Sequence, residues 1–374
     1  MTLRGAAQRL HRWLGLTLGV WFAFLGVSGS VLVFWHELED ASYPATMARI
    51  AEGTPLPLEA LLDRLREARP DADIFRIHLP AAPGQAMRLE FFGNRPNSDA
   101  VFRGTTHLDP ASGAILGERV FGDSWIGTLY SLHSGLILGR SGIVAAGLIG
   151  LALGVLALLG LLLWAYRDGR PWRESLAPMS SLRGLRRLRN WHRALGIWAA
   201  LPLALAAITG AGLAFPETVR DLARPFLAEP RPSSFAGPAH PNSAHLGLDA
   251  AIARAEELLP GFRAVWLDLP LPDSKEPTSI ILRPADGSLS GPAVASLSPA
   301  LGKQMEVTLA SPVETLRAWI MALHNGQALG TGHRFFVVAL GLVPGTMGLL
   351  GWLAWRRRVR ARQQARLPPM AATG

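Results

Sequence analysis

His11-Arg12-Trp13-Leu14-Gly15 opens an apolar run that closes at Phe34, and it recurs as His192-Arg193-Ala194-Leu195-Gly196, which opens a second run closing at Phe215. Crossing a hydrocarbon core roughly 30 Å thick takes about 20 mostly apolar residues in a helix. Besides Trp13 to Phe34 and Trp191 to Phe215, the stretches Gly142 to Tyr166 and Phe335 to Trp355 meet that length. Trp13 and Trp35 bracket the first, Trp164 and Trp191 lie near the ends of the second and third, and Trp352 and Trp355 lie near the end of the fourth, as interfacial anchors do. The composition agrees: 49% hydrophobic residues, 12 Trp and a mean hydropathy above zero point to a membrane protein of four transmembrane helices.

Charge placement sets the expected orientation, because cytoplasmic flanks retain Arg and Lys. The leader with Arg4, Arg9 and Arg12, the loop from Arg167 to Arg193 with eight Arg, and the tail from Arg356 with six Arg together carry a net +15. The two long segments between helices, His36 to Ser124 and Pro216 to Thr331, together carry −8. Both termini are therefore expected in the cytoplasm and both large segments outside it. The chain's +9 records orientation rather than nucleic-acid binding, and the basic inner face should attract membrane lipid. The first apolar run exceeds a signal-peptide h-region and no clear Ala-x-Ala site follows, so it is expected to stay as an anchor. The chain has no cysteine, which excludes disulfides, thiolate-held iron–sulfur clusters, Cys-type zinc sites and thioether-attached haem.

The repeat extends beyond the helix starts. Val27-Ser28-Gly29 recurs as Ile208-Thr209-Gly210. Leu58-Glu59-Ala60-Leu61-Leu62 is echoed by Leu248-Asp249-Ala250-Ala251-Ile252. Leu132-His133-Ser134-Gly135 recurs as Leu323-His324-Asn325-Gly326, preceded by Trp125-Ile126 and Trp319-Ile320. The order of landmarks is kept, which reads as a tandem duplication. Leu58, Leu61, Leu62 and Leu65 have helical spacing up to Pro70, strand-like runs follow at Ile74 to Leu79 and Met87 to Phe92, and Asp109-Pro110-Ala111-Ser112-Gly113 is a turn that starts another hairpin. The second copy repeats this with Ile252, Ala255, Leu258 and Leu259, runs at Ala264 to Leu269 and Ser279 to Leu282, and the turn Ser298-Pro299-Ala300-Leu301-Gly302; Glu229 to Ser243 reads as a linker.

The resulting division is a leader and first span (1–35), an external α+β module (36–124), an outer-side helix and second span (125–166), a basic loop (167–190), the third span (191–215), a second module (216–318), an outer-side helix and fourth span (319–356), and a tail (357–374).

With its His-Arg-x-x-Gly starts at His11 and His192, the Asp109-Pro110-x-x-Gly113 module and the Leu-His-x-Gly elements at His133 and His324, nearly the whole chain resembles the PepSY-associated transmembrane family, which includes siderophore-iron reductases of the FoxB and PiuB type. The resemblance implies a bacterial inner membrane, PepSY-like modules in the periplasm, and haem-supported reduction of ferric siderophores.

A haem iron accepts imidazole nitrogen axially, and two such ligands suit it to electron transfer. Histidines close to lipid often mark function, so His11, His133, His192 and His324 stand out, although each alone could equally be an interfacial residue. His11 and His192 both begin odd-numbered spans, and a pseudo-two-fold axis along the membrane normal would bring them together as an inner site. His133 and His324 precede the even-numbered spans and form the expected outer site, with His36 and His333 as competitors. Two b-type haems are the expected cofactors. Arg12, Arg193, Arg140 and Arg334 could pair with haem propionates or simply mark the membrane boundary. His78, His107, His240 and His245 are expected to be ordinary surface residues.

Ferric siderophore is then the expected substrate. No Gly-x-Gly-x-x-Gly follows a strand, so the electron donor is quinol or a separate reductase. Two other classes stay open: a non-redox, membrane-anchored binding or protease-regulating protein, and a transporter, the latter weakened by four helices without an intramembrane carboxylate.

Overall fold

The computed structural model describes residues 2–42, 53–80, 82, 84–94, 101–166, 176–179, 181–227, 235–236, 247–272, 274, 276–288, 291–297 and 305–364. The chain divides into two compact units, one of Met1–Phe34, Leu129–Thr218 and Ile320–Gly374, the other of Trp35–Thr128 and Val219–Trp319.

The first unit is built on four long helices, α1 (Leu3–Leu32), α5 (Gly139–Ala165), α6 (Gly184–Ala214) and α10 (Gly330–Gln364). Each contains one of the four apolar runs and extends it into charged sequence. The helices form a closed ring of neighbours: α1 packs on α5 and α10, and α6 packs on the same two. Small residues set the closest approaches, as expected where lipid tails offer no hydrophobic contrast and packing must supply the attraction. A Cβ built on Gly26 of α1 would lie 2.1 Å from the Gly341 carbonyl oxygen of α10, so this crossing requires glycine. Beside it the Ser30 hydroxyl reaches the Val338 carbonyl at 2.9 Å. On the opposite seam Gly147 of α5 faces Ala214 and Phe215.

The outer surface of this bundle is apolar. Val20 is 78% exposed, Leu201 62% and Phe335 61%. An apolar girdle on helices of this length is covered by lipid, and the protein is a multi-pass membrane protein.

The second unit is one antiparallel sheet carrying helices. Its strands are β1 (Asp73–His78), β2 (Met87–Asn94), β3 (Val101–Leu108), β4 (Ile115–Val120), β5 (Phe235–Ala236), β6 (Phe262–Asp268), β7 (Thr278–Pro284), β8 (Ala293–Leu297) and β9 (Met305–Leu309), and the order across the sheet is β4-β3-β2-β1-β6-β7-β8-β9-β5. The Asp109–Gly113 turn closes the β3–β4 hairpin, with Gly113 at φ +70°, where a side chain would be strained. The sequence reads two separate modules; the structure joins them, because β1 and β6 pair antiparallel through Arg76↔Asp268 and Ile77↔Leu267. Joining removes two exposed strand edges, each a row of unpaired backbone groups. The Arg76 guanidinium seals the join with two bonds to Asp268, at 2.5 and 3.1 Å.

Helices α3 (Leu58–Ala68) and α8 (Leu248–Leu258) are part of one core with the sheet. Leu58, Leu61, Leu62 and Leu65 are spaced to line one side of α3, and they meet Ile77, Leu89, Phe91, Leu267, Ile280 and Val307 in a single core with Ala251 and Ala255 of α8. Fully burying a leucine or phenylalanine stabilises by about 1.5–3 kcal/mol, so this shared core holds the two modules as one body.

The remaining described helices are α2 (Trp35–Ser42), α4 (Trp125–Gly135), α7 (Pro216–Ala223) and α9 (Pro312–His324). Strand β3 is not read from the sequence as a run of its own, since Gly104 and four polar residues, Arg103, Thr105, Thr106 and His107, interrupt its apolar pattern. Of the expected linker Glu229 to Ser243 only Phe235 and Ala236 are described, and they pair with β9 as an edge strand. The turn at Ser298 to Gly302 lies outside the described residues.

Candidate functional site

Four half-buried histidines of the bundle unit meet in two pairs. The His11 and His192 rings, on α1 and α6, have centroids 6.1 Å apart at an interplanar angle of 90°. Those of His133 and His324, on α4 and α9, are 6.2 Å apart at 41°.

Each ring rests on a glycine of a neighbouring helix. Cβ atoms built on Gly160, Gly29, Gly210 and Gly351 would stand 3.2 Å from His11 Cε1, 2.9 Å from His133 Cε1, 2.8 Å from His324 Cε1 and 3.7 Å from His192 Cε1. A side chain at Gly29 or Gly210 would displace the ring and one at Gly160 would crowd it, while at Gly351 a Cβ would make ordinary contact.

Hydrogen bonds then select the tautomers. His11 Nδ1 donates to the Leu156 carbonyl at 3.1 Å. The Ser28 hydroxyl spends its proton on the Phe24 carbonyl at 2.7 Å, so its oxygen accepts from His133 Nδ1 at 2.9 Å. Thr209 repeats this device: its hydroxyl donates to the Leu205 carbonyl at 2.9 Å, and His324 Nδ1 lies 3.2 Å from its oxygen and 3.1 Å from the Ala206 carbonyl. His192 Nδ1 is directed to the Met347 carbonyl but falls short of hydrogen-bond geometry. A proton on Nδ1 leaves the lone pair on Nε2, and bonds from Nδ1 to a carbonyl or hydroxyl oxygen orient metal-binding imidazoles.

The spacing suits two imidazoles that would share one metal ion. With a metal–imidazole nitrogen bond of about 2 Å on each side, the two ring centres stand about 6 Å apart. Eighteen residues of continuous α1 separate His11 from Gly29, and eighteen of α6 separate His192 from Gly210, roughly 27 Å at ~1.5 Å per residue. The pairs therefore occupy two levels, close to the two faces of a bilayer core.

The other candidates are not brought to either pair. His36 belongs to the sheet unit, where its ring lies 4.8 Å from that of Trp35. His333 stacks on Phe336 at 6.4 Å, with Nδ1 buried and without a hydrogen-bond partner among the described residues. Arg334 donates to the Val33 carbonyl at 2.8 Å and covers the Phe34 ring. Arg12 lies over Trp13, and Arg140 is exposed. Arg193 has a buried Nε with no hydrogen bond among the described residues and stands one position from His192.

Of the expected surface histidines, His107 is buried and His78 half-buried in the sheet unit; His240 and His245 lie outside the described residues. His78 donates from Nε2 to Glu90 at 2.5 Å and accepts at Nδ1 from Arg88 at 3.2 Å, the pattern of a neutral imidazole. Burial lowers its pKa and outweighs the Glu90 bond. Burial alone would raise the Glu90 carboxyl, but the bonds from His78 and Arg103 overcome it and bring it down to about 2. His107 is 3% exposed; burial first, then the charges of Arg119 and Arg88, push it down to about 4. Alternation along β1, β2 and β3 puts these polar groups on the face opposite the apolar core, and burial of that face was not readable from the strands alone.

The sequence reading missed the supports of the four rings. Ser28-Gly29 and Thr209-Gly210 were visible as a repeat without a role. Gly160 and Gly351 carried a fainter signal, each standing four residues before a tryptophan, Trp164 and Trp355.

Comparison with curated proteins finds no matching relative. The family model described as the PepSY-associated TM region matches residues 8–358, which takes in both histidine pairs, all four long helices and the whole sheet unit. By that match the chain belongs to the PepSY-associated TM family.

Proposed function

We propose that this protein holds two b-type haems and passes electrons across a bacterial inner membrane to ferric siderophores in the periplasm, acting as a ferric-siderophore reductase. The observation that carries the reading is the pair of ring separations, 6.1 and 6.2 Å, repeated at two levels of one bundle. One interfacial histidine is ordinary; two facing pairs on glycine seats with Nδ1 directed at hydroxyl or carbonyl oxygens are a ligand arrangement.

Bound haem supplies one-electron ferric–ferrous chemistry. His11 and His192 would hold the inner group, and His133 and His324 the outer one. Ser28, Thr209 and Leu156 keep the Nδ1 protons of His133, His324 and His11 in place, so those three rings neither flip nor change tautomer. Arg193, with its buried unbonded Nε, is suited to a propionate at the inner level. The apolar girdle excludes water between the levels. Ferrous iron is held less tightly than ferric by hard oxygen ligands, so reduction releases iron from the siderophore.

The orientation follows the charges: basic leader, loop and tail in the cytoplasm, and the acidic sheet unit in the periplasm. The equivalence of Ser28-Gly29 with Thr209-Gly210, each supporting one histidine of the outer pair, supports a duplicated unit. The visible spectrum of protein purified from haem-replete cells tests the reading. A low-spin b-type spectrum, reduced by dithionite and reoxidised by a ferric siderophore, is expected. A colourless protein would sink it in favour of a non-redox binding protein, and haem that ferric siderophore fails to reoxidise would remove the substrate alone.

A further inference from the structure

A cavity of about 380 Å³ opens on the bundle surface between α6 and α10, lined by Arg187, Leu188, Trp191 and Leu350. Two of its wall residues are chain neighbours of the inner histidine site. Trp191 precedes His192, and Leu350 precedes Gly351, on which the His192 ring rests. We infer that this groove binds the headgroup of a membrane quinol, which delivers electrons to the inner histidine pair; the inference rests on the haem reading above.

The lining specifies the occupant. A volume in the range of small-molecule sites suits one substituted ring. Leu188, Leu350 and the indole of Trp191 offer apolar and aromatic surface to a flat ring, and Arg187 offers a hydrogen-bond donor to a ring oxygen. A phospholipid phosphate is held best by several cations or bidentate donors, and this groove supplies one arginine among three apolar walls. Its mouth is on the lipid-exposed surface, beside exposed Trp191 and Arg187, where a ligand dissolved in the bilayer arrives without crossing water. The chain has no dinucleotide fingerprint, so the reducing equivalents come from outside it.

One quinol gives up two electrons and two protons and becomes a quinone. A haem held by His11 and His192 would take up the electrons one at a time, and both protons would go to water at the cytoplasmic face. Each quinol then accounts for two ferric siderophores.

Full-length protein in phospholipid–detergent micelles is photolabelled with an azido-ubiquinone, and the labelled peptide is identified by mass spectrometry. Label on the segment containing Trp191 or Leu350 is expected, displaced by decylubiquinone and not by cardiolipin. Leu350→Trp, which fills the groove, and Arg187→Gln, at an exposed position, should each cut labelling at least tenfold. Both should raise the decylubiquinol concentration for half-maximal haem reduction similarly, while dithionite still reduces the haem. Label elsewhere, displacement by cardiolipin as readily as by quinone, or unchanged labelling in both variants would overturn the site. A haem-replete protein that takes no label fails here alone, whereas a colourless protein overturns the haem reading.

Discussion

Glu59 and Asp249 cap each other's helices. Asp249 Oδ2 accepts from the Leu58 N–H at 2.8 Å, at the first residue of α3, and Glu59 accepts from the Leu248 N–H, at the first residue of α8. Neither helix is capped by its own flanking residue, since Pro57 and Gly247 offer no side-chain acceptor. Each carboxylate sits in the first turn of its own helix, favoured by the helix dipole, and satisfies an orphan donor on the other.

Removing either cap should therefore loosen the join between the modules as well as a helix. Glu59→Ala and Asp249→Ala are each expected to cost about 1 kcal/mol, the usual value of a helix cap. Thermal unfolding of the full-length protein in detergent checks this; unchanged midpoints in both variants would show that the caps are replaced by solvent.

Histidine substitutions should behave as pairs. His11→Ala combined with His192→Ala is expected to remove one haem of two, no more than either alone, whereas His11→Ala with His133→Ala removes both. Haem per protein, measured as the pyridine haemochromogen, decides it. Equal loss from both double variants would mean that the pairing is wrong.

Glycine seats give a separate readout. Gly29→Val puts carbon where Gly29 now admits His133 Cε1 at 2.9 Å from the built Cβ, so the outer haem should be lost or its spectrum shifted with the inner one unchanged. Gly19→Ala, on the same helix with nothing within 4 Å of the added carbon, is the control. It should gain up to about 1 kcal/mol of helix propensity and leave the spectrum alone.

Acid should destabilise the sheet unit through His107. Its folded pKa is lowered, so the unfolded chain binds the proton first, and stability falls as pH drops from 6.5 towards 4. At pH 5 the loss from this residue is about 2 kcal/mol by linkage. Glu90, also lowered, adds its loss only further down, between pH 4.5 and about 2. His107→Gln should flatten the dependence of the unfolding midpoint between pH 7 and pH 5, and a slope equal to that of the original protein would refute the assignment.

Legibility in the sequence followed the reach of each interaction. The four spans were plain because the bilayer imposes a length and a composition on each helix by itself. Helix α3 was plain because Leu58, Leu61, Leu62 and Leu65 repeat within one segment. His107 was misread because its burial depends on groups remote in sequence, and Gly160 and Gly351 went unassigned because a glycine announces a close approach without naming what approaches.

The sequence by itself thus determined four membrane helices, a repeated order of landmarks, and which four histidines stand at equivalent places. Tertiary structure alone decided that the two modules share one sheet through β1 and β6, and which glycines and oxygens seat the histidine rings whose pairing the repeat already led us to expect. Strand edges and imidazoles find partners by geometry across nearly two hundred residues. Local periodicity records only which residues share a face, and the packing of Gly26 on Gly341 and of each ring on its glycine fixes what that face meets.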